Sequence, residues 1–357
     1  GVPTGVGSQK ILKSGPSDHV FVFFDDHGDT GVISFPRAAT LSSKQLSAIL
    51  DTMHEKQMFG TLVIYIAACH SGSMLYNLAL PPNVYAATSS PIGASGYALF
   101  YNESMNTYLA SGWPFGLNQF MEHHTVMDTF QDQFDWAATH LNSSQTCQYG
   151  QVGWANKVTL SSWFSSSNDD KVFAEKPRWW LSDADADATP EWSVPFEIAR
   201  RVHMKRNSKE SFDAFNKEQK IRDAVDQLAS KVALAAIGHE KIMPCQSCDY
   251  ATCGCYQECY TYHVFNLDFC VFECCDESAC TVPYHPNQTS LNARIEKALS
   301  CTNVLTMVVQ EACGSHPYIA KANAGIHRIC RKDNVNINAA IMEIKTQCSV
   351  LLSTLLS

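Results

Sequence analysis

Short apolar runs that end in polar, turn-permitting residues are the main pattern in the amino-terminal half of the chain. Leu62–Ala68 is a continuous apolar run rich in β-branched residues, and it is too short for a globular helix. The run stops at Cys69, and residues 70–73 are polar or glycine. Such a run is typical of a strand that is buried on both faces, as in parallel sheets. The pattern therefore predicts a buried strand with Cys69 at its carboxyl end.

An earlier stretch has the same design. Val20–Phe24 is a second short apolar run, and it ends in the sequence Asp-Asp-His-Gly at residues 25–28. Open α/β sheets place their ligands at the carboxyl ends of parallel strands. A lone cysteine is more often a buried core thiol, but two neighbouring strands that end in His27 and Cys69 bring a base and a nucleophile together. Gly28 lets its backbone N–H approach a substrate and donate to an oxyanion.

The remaining periodicity predicts helices and strands in alternation. Leu41–Phe59 reads as a helix that starts with a capping box of Ser42 and Gln45 and ends at Gly60. Its apolar face comprises Leu46, Ile49, Leu50 and Met53. The same reasoning predicts a strand at Asn83–Thr88 and helices at Thr125–Leu141 and Ser211–Ile237. We therefore expect an α/β fold with a mostly parallel sheet and a right-handed crossover.

Length and charge narrow the function classes. With 357 residues, the chain has room for a catalytic domain and a smaller second unit. The net charge of −9 argues against a nucleic-acid partner. No apolar run approaches the roughly 18 residues that a membrane span requires. Residues 183–187 alternate Asp and Ala but lack the glycine and glutamate of a calcium loop. We therefore predict neither a metal nor a cofactor.

Cysteines and glycosylation sequons indicate an oxidising compartment. Nine of the fifteen cysteines lie in Cys245–Cys280, a density typical of secreted proteins. The Cys-x-x-Cys pair at residues 245 and 248 raises zinc as an alternative, but the neighbouring pair at 274 and 275 favours disulfides. The predicted glycosylation sites are Asn102, Asn142 and Asn287. We expect a lysosomal, endosomal or secreted protein.

Two motifs give the chain a family resemblance. DHVFVFFDDHGDTG at residues 18–31, followed by VIYIAACHSGSM at residues 63–74, resembles the legumains, which are asparaginyl endopeptidases of the caspase-like cysteine peptidase family C13. The likeness continues through NVYAATSS, TYLASGW, QYG and SVP, and it resumes in four cysteines near the carboxyl terminus. The Cys-rich block at residues 245–280 has no counterpart that we can match.

The resemblance implies roles for individual residues. It implies that His27 is the base, that Cys69 is the nucleophile, and that the backbone N–H groups of Gly28 and Cys69 form the oxyanion hole. It also implies a zymogen that cleaves itself between Asn207 and Ser208. The disulfide pairs that it implies are Cys301–Cys330 and Cys313–Cys348. Protein or peptide substrates and the chain's own prodomain would be the partners.

The resemblance also implies a division into four parts. Residues 1–200 would form the caspase-like catalytic domain, and residues 201–244 the activation linker and helix. Residues 245–290 would be a Cys-rich insertion, and residues 291–357 a helical, disulfide-bonded prodomain. The β-α-β stretch with which legumains begin would precede Gly1, so we expect exposed apolar strand faces and an unpaired sheet edge.

The departures from the family lie in the specificity pocket. Ala67 stands where legumains carry a glutamate, and Ser111-Gly112-Trp113 replaces Gly-Asp-Trp. An asparagine side chain needs both hydrogen-bond donors and acceptors, and alanine and glycine side chains supply neither. Ser95 and Ser111 are then the nearest candidate partners, and we expect a weakened preference for asparagine.

Three functions are compatible with these patterns. The first is a legumain-like cysteine endopeptidase, favoured by the intact pair of His27 and Cys69. The second is an inactive homologue that binds a partner through its Cys-rich block, favoured by the missing pocket carboxylates. The third is a relative of the GPI-anchor transamidase subunit, which shares the His-Gly and Cys loops. The four carboxyl-terminal cysteines argue against the third.

Overall fold

A computed structural model describes most of the chain. The described residues are 11–35, 40–76, 78–92, 94–123, 125–141, 144–164, 188–237, 289–314, 319–330 and 334–356. The predictions for the acidic loop at 183–187, the block Cys245–Cys280 and the sequons at Asn142 and Asn287 lie outside these residues.

Ten strands and ten helices make up the described fold. The strands are β1 (His19–Asp25), β2 (Gly28–Asp29), β3 (Val32–Ser34), β4 (Thr40–Ser42), β5 (Thr61–Ala67), β6 (Val84–Thr88), β7 (Tyr97–Asn102), β8 (Thr107–Ser111), β9 (Cys147–Gly150) and β10 (Thr189–Pro190). The helices are α1 (Ser43–Glu55), α2 (Gly112–His123), α3 (Phe130–His140), α4 (Val152–Ala155), α5 (Leu160–Phe164), α6 (Val194–Arg206), α7 (Lys209–Ile237), α8 (Thr289–Cys313), α9 (Ile319–Cys330) and α10 (Ile337–Leu356).

The main sheet has the spatial order β1-β5-β6-β9. The first three of these strands run parallel, and β9 is antiparallel to β6. On one face of β5, Leu62, Ile64 and Ile66 pack with α1; on the other face, Val63 and Tyr65 pack against α2 and α3. The prediction of a mostly parallel sheet with a central strand buried on both faces is thus confirmed. Two three-stranded antiparallel sheets, β2-β3-β4 and β10-β7-β8, flank it.

Helix α1 begins with the predicted capping box. The Ser42 side chain accepts the Gln45 N–H, and the Gln45 side chain accepts the Ser42 N–H. On the predicted apolar face of this helix, Leu46 and Leu50 are buried, whereas Ile49 is 46 % exposed. The buried stripe of the helix is therefore narrower than its apolar face.

The four helices α7 to α10, here called the C-terminal helical unit, pack on one another around their own apolar core. The structure contains the two disulfides implied by the family resemblance, Cys301–Cys330 and Cys313–Cys348. The activation linker predicted from residue 201 is helical as far as Arg206. Glu197 stabilises this part of α6 by ion pairs with Arg200 and Arg201 on the next turn.

Strand β1 forms one end of the main sheet among the described residues. Phe21, Val22 and Phe23 on this strand are all exposed, as expected for an apolar strand at a sheet edge. Within the part of the chain that the structure describes, no helix is long and apolar enough to cross a membrane.

Candidate active site

The sheet register brings His27 and Cys69 to the same edge. Asp25 on β1 lies opposite Ala67 on β5 in parallel register. The backbone N–H of Asp26 extends this pairing by donating to the Ala67 carbonyl oxygen at 3.3 Å. His27 follows Asp25 by two positions, and Cys69 follows Ala67 by two positions. The two residues therefore lie side by side at the ends of their strands.

Gly28 allows the His27 loop to lie directly on the end of β5. A Cβ atom added at Gly28 would come within 2.7 Å of both the Ala68 Cβ and the Cys69 carbonyl oxygen. No larger residue fits at that separation. A second link holds the same loop, because the Gly31 N–H donates to Ser73 Oγ at 2.7 Å. The loop after β1 and the turn after Cys69 therefore form one packed unit.

A sharp turn follows Cys69. His70 adopts a left-handed conformation with φ of 56° and starts the 3-10 turn Ser71–Met74. The His70 N–H donates to the Ala94 carbonyl oxygen at 2.7 Å, and the Ser71 N–H donates to Ser90 Oγ at 3.1 Å. These contacts fix where the strand ends and hence where the thiol lies.

The Cys69 thiol is buried and forms no disulfide, with 1 % of the residue exposed. Its sulfur accepts the Gly96 N–H at 3.2 Å and lies 3.8 Å from Glu191 Oε2. Burial raises the pKa of the thiol well above its ordinary value, and the negative charges of Glu191 and Asp29 raise it further. In this arrangement the sulfur is held as a neutral thiol.

His27 is exposed, and its backbone is well fixed. Its N–H donates to Asp26 Oδ1 at 2.7 Å, and its carbonyl oxygen accepts the Ser34 N–H at 2.9 Å. Among the described residues, the groups that hydrogen-bond the Cys69 sulfur come from Glu191, Gly96 and the backbone of Trp192, not from His27. The imidazole and the thiol are thus neighbours by register without a direct hydrogen bond.

The predicted pocket residues divide into two groups. Ser111 Oγ donates to Glu191 Oε1 at 3.0 Å, and Ser95 Oγ accepts the Trp192 indole N–H at 3.2 Å, so both serines lie in the shell around the thiol. Ala67 packs into the core cluster that contains Tyr65 and Trp113. The alanine therefore fills core space and offers the site no polar group.

Glu191 is the residue of this site that the sequence pattern did not single out. Burial raises the pKa of its carboxyl group from 4.5 to about 7, the nearby charges of Asp25 and Asp26 raise it as well, and hydrogen bonds from Ser111 and Cys69 lower it. Its position depends on a two-residue strand, β10, which is too short to leave a periodic signal. The position of Glu191 becomes evident only from the pairing of β10 with β7.

The C-terminal helical unit lies over the thiol. Cys69 and Trp192 belong to the same apolar cluster as Val225, Leu305 and Ile326 of this unit. The Asn323 amide on α9 donates to the buried carboxyl group of Asp29 on β2. Burial raises the Asp29 pKa well above its ordinary value, although the hydrogen bonds from Asn323 and Thr30 lower it. The Asn303 side chain on α8 fills the space beside Gly31.

The predicted cleavage position lies in an exposed turn between two helices. Asn207 ends α6 in a left-handed conformation with φ of 45°, and its N–H donates to the His203 carbonyl oxygen at 2.8 Å. Ser208 Oγ then accepts the Ser211 N–H at 3.2 Å and so caps the start of α7. A peptide bond in such a turn is accessible to a protease.

Two further predictions concern residues away from the thiol. Asn102 lies at the end of β7, where its side-chain oxygen accepts the N–H groups of Ser104 and Met105. Cys147 forms a disulfide and is therefore not a free core thiol. Within the described residues, no group of three or more His, Cys, Asp and Glu side chains is arranged to hold a metal ion.

The chain is similar to a known protein family and to several known proteins. Residues 2–166 match the model of the Peptidase C13 family. Mouse legumain is 34 % identical over 283 residues, which are 75 % of this chain and 63 % of that protein. Human legumain is 37 % identical over 210 residues, 58 % of this chain and 46 % of that protein. Hemoglobinase from Schistosoma mansoni is 27 % identical over 265 residues, 70 % of this chain and 58 % of that protein.

The fold is that of a caspase-like protein, and residues 2–166 match the peptidase C13 family. The relatives that are identical to the chain at about a third of the aligned residues are legumains. The match takes in less than two thirds of the length of each of these legumains.

Proposed function

We propose that the chain is a legumain-like cysteine endopeptidase that hydrolyses peptide bonds with Cys69 as nucleophile and His27 as base. The observation that carries this proposal is the register: both residues follow a paired position of neighbouring strands by two residues. Packing of Gly28 against the Cys69 carbonyl oxygen joins the two loops. This arrangement places an imidazole and a thiol at the same edge of the sheet, which thiol catalysis requires.

The proposed reaction has two stages. The Cys69 thiolate attacks the carbonyl carbon of the peptide bond, and the N–H groups of Gly28 and Cys69 donate to the developing oxyanion. The protonated imidazole of His27 then gives its proton to the leaving amine nitrogen, which releases the amine and leaves a thioester on Cys69. Water attacks the thioester, releases the carboxylic acid product and restores the thiol.

We further propose that the chain is a zymogen. The C-terminal helical unit covers Cys69, and burial keeps the thiol pKa high, so the nucleophile is both inaccessible and un-ionised. Cleavage between Asn207 and Ser208, in the turn that precedes this unit, would allow the unit to leave. A lysosomal, endosomal or secreted location fits the cysteine content.

Labelling with iodoacetamide at mildly acidic pH tests the pair of His27 and Cys69. We expect Cys69 to be alkylated faster than a free thiol of pKa about 8.5 once the C-terminal helical unit has been released. His27→Ala should slow this alkylation and abolish peptide hydrolysis, whereas His54→Ala on the exposed side of α1 should change neither. Equal labelling rates with and without His27 would exclude it as the base.

An inactive homologue is the second candidate function. It is favoured by the absence of side-chain acceptors at Ala67 and Gly112 and by the neutral, buried state of the thiol. A protein of this kind would bind a partner and hydrolyse no peptide. Peptide hydrolysis that is lost in the Cys69→Ala variant would exclude it. A relationship to the GPI-anchor transamidase subunit is a weaker third candidate, because the four-cysteine helical unit argues against it.

A further inference from the structure

A cavity lies between the β2-β3-β4 sheet and the C-terminal helical unit. One wall comes from this sheet and the first turns of α1, and the other wall comes from α8. Its volume of about 500 Å³ falls within the range of about 300–1,000 Å³ that is usual for ligand pockets. Neither Cys69 nor Glu191 lines it, so the cavity is distinct from the candidate active site.

Three residues that line this cavity have buried side-chain oxygens without a hydrogen-bond partner among the described residues. They are Thr30 Oγ1 in the turn between β2 and β3, and Asn303 Oδ1 and Thr306 Oγ1 on α8. Thr30 is 0 % exposed and Thr306 is 2 % exposed. An unsatisfied buried oxygen destabilises the folded state, and native structures rarely contain one. Three of them around one cavity indicate that an occupant completes their hydrogen bonding.

The oxygens can reach an occupant by small rotations of their side chains. Neighbouring atoms now cover all three of them. Rotation about χ1 exchanges the hydroxyl and the methyl group of a threonine, and threonine on a helix divides between two such rotamers. The Asn303 side chain lies against Gly31, which has no Cβ atom to displace it. The wall can therefore turn polar groups towards a ligand without movement of the backbone.

The chemistry of these groups favours a neutral occupant with several hydroxyls. Asn303 Oδ1 accepts only, so the occupant must donate to it, which an ionised carboxylate cannot do. An ammonium group would donate, but Lys44 lines the same cavity, and like charges repel. The two threonine hydroxyls donate or accept. Since a ligand hydroxyl also does both, a polyol can satisfy all three oxygens, and Met307 offers it an apolar contact.

We propose that this cavity binds a small neutral polyol, a free sugar or sugar alcohol, which joins α8 to the β2-β3-β4 sheet. The inference goes beyond the proposed peptidase function, because binding requires no turnover. Its consequence concerns the thiol, since the C-terminal helical unit covers Cys69. A ligand that bridges the two walls stabilises the covered state. At about ten times its Kd it should lower the open fraction by about tenfold.

Isothermal titration calorimetry of the full chain tests the binding and its charge preference. The probes are D-glucose, D-glucosamine and inorganic sulfate, which are neutral, cationic and anionic. We expect saturable binding of glucose and at least about fivefold weaker binding of glucosamine, because its ammonium group meets Lys44. Lys44→Gln should bring the Kd of glucosamine close to that of glucose. Sulfate should bind more weakly than glucose.

Two shape-conserving substitutions test the unpartnered hydroxyls. Thr30→Val and Thr306→Val should each weaken glucose binding by about tenfold or more. Thr302→Val is the matched control, because Thr302 is equally buried on the same helix but does not line the cavity. Glucose at saturation should slow alkylation of Cys69 by iodoacetamide in the wild type and in Thr302→Val, but not in Thr306→Val. This comparison cancels the general stabilising effect of sugars as cosolvents.

Several results would overturn the proposal. Tighter binding of sulfate than of glucose would identify an anion site instead. An unchanged affinity for glucose in both Thr30→Val and Thr306→Val would show that the threonines are not ligands. No saturable binding of glucose, together with a loss of stability in Thr306→Val, would mean that the cavity holds water only.

The proposed peptidase function is judged separately. A chain that binds glucose as expected but hydrolyses no peptide would leave the cavity assignment standing and the peptidase function wrong. Peptide hydrolysis without glucose binding would show the reverse. Should Thr306→Val fail to fold, Thr30→Val decides. Should both fail, the effect of Lys44→Gln on glucosamine binding decides.

Discussion

Glu191 binds a proton more tightly in the folded chain than it would in water. Its pKa is raised from 4.5 to about 7, chiefly by burial. Because the folded state favours the protonated form, the stabilisation from this group is fully present below pH 4.5 and is lost as the pH rises through about 7. Each pKa unit corresponds to about 1.4 kcal/mol, so the loss amounts to about 3 kcal/mol.

We therefore expect Glu191→Gln to flatten the dependence of stability on pH. Glutamine resembles the protonated acid in shape and does not ionise. The variant should match the wild-type free energy of unfolding at pH 4.5 and exceed it by about 3 kcal/mol above pH 7. Urea unfolding at the two pH values measures this, with Glu55→Gln as control. Parallel pH profiles for wild type and Glu191→Gln would contradict the assigned pKa.

At the scale of single residues, the sequence predicted the position of each site residue that directly follows an apolar strand. His27, Gly28 and Cys69 each follow a readable apolar run, and the structure puts all three at one sheet edge. Glu191 follows no such run, since β10 has only two residues. Its contacts with Cys69 and Ser111 join positions 122 and 80 residues away, and nothing local in the chain specifies these distances.

The hairpin after β1 is the element on which the site depends most directly. Gly28→Ala would place a Cβ atom 2.7 Å from the Ala68 Cβ and the Cys69 carbonyl oxygen. Both neighbours belong to the buried end of β5, so the hairpin must move away from it. We expect a loss of about 1–3 kcal/mol in the free energy of unfolding, together with slower alkylation of Cys69.

Gly153→Ala is the matched control for this substitution. Gly153 lies within α4, where an added Cβ atom would meet nothing within 4 Å. This variant should leave alkylation of Cys69 unchanged and keep or slightly raise the stability, since alanine favours helix over glycine. Similar losses for the two glycine variants would show that the contact with β5 does not set the position of the hairpin.

At the scale of elements, the sequence pattern correctly predicted those helices and strands that neighbouring residues in the chain determine. The capping box of α1 and the apolar run of β5 are present as predicted. The segment after residue 200 was predicted as a linker because it is basic and polar, and α6 has no buried residue among its thirteen. Ion pairs on Glu197 and packing against α7 make it a helix. Ion pairs and contacts with another helix leave no hydrophobic period in the sequence, so the pattern could not predict this helix.

For the whole molecule, the two disulfides of the C-terminal helical unit should determine how firmly it holds together. They close segments of 29 and 35 residues, for which chain entropy gives about 3–4 kcal/mol each. We expect the double variant Cys313→Ala/Cys348→Ala to lose about that much in urea unfolding and to expose Cys69 to faster alkylation. Unchanged alkylation would mean that this unit covers the thiol without depending on that disulfide.

Cleavage at Asn207 is the whole-molecule event that the proposed zymogen requires. On incubation at acidic pH we expect a new amino terminus at Ser208, detected by terminal sequencing. Asn207→Ala should abolish it, but alanine is also strained in the left-handed conformation at this position. Asn207→Gly relieves that strain and should abolish cleavage equally. A new terminus at Ser208 in Asn207→Gly would contradict recognition of the asparagine.

Contacts among the described residues affect the pH at which the C-terminal helical unit can be released. Protonation of carboxylates in acid would favour release if ion pairs held the C-terminal helical unit in place. The ion pairs found among the described residues instead involve Glu197 with its neighbours and Lys205 with Glu103. Burial raises the pKa of Asp29 well above its ordinary value, whereas the hydrogen bond from Asn323 lowers this pKa and so favours the ionised carboxylate. Protonation of Asp29 in acid should therefore weaken its contact with Asn323 while it removes the cost of burying a charged group.

The hydrogen bond between Asn323 and Asp29 joins residues that are 294 positions apart. During synthesis at about 5–20 residues per second, the first partner precedes the second by about 15–60 s. During that interval the C-terminal helical unit does not yet cover Cys69, while further cysteines that must form their own disulfides are being synthesised. The chain has fifteen cysteines in all. The order of translation thus leaves Cys69 open to pairing with another cysteine until the C-terminal helical unit has been made.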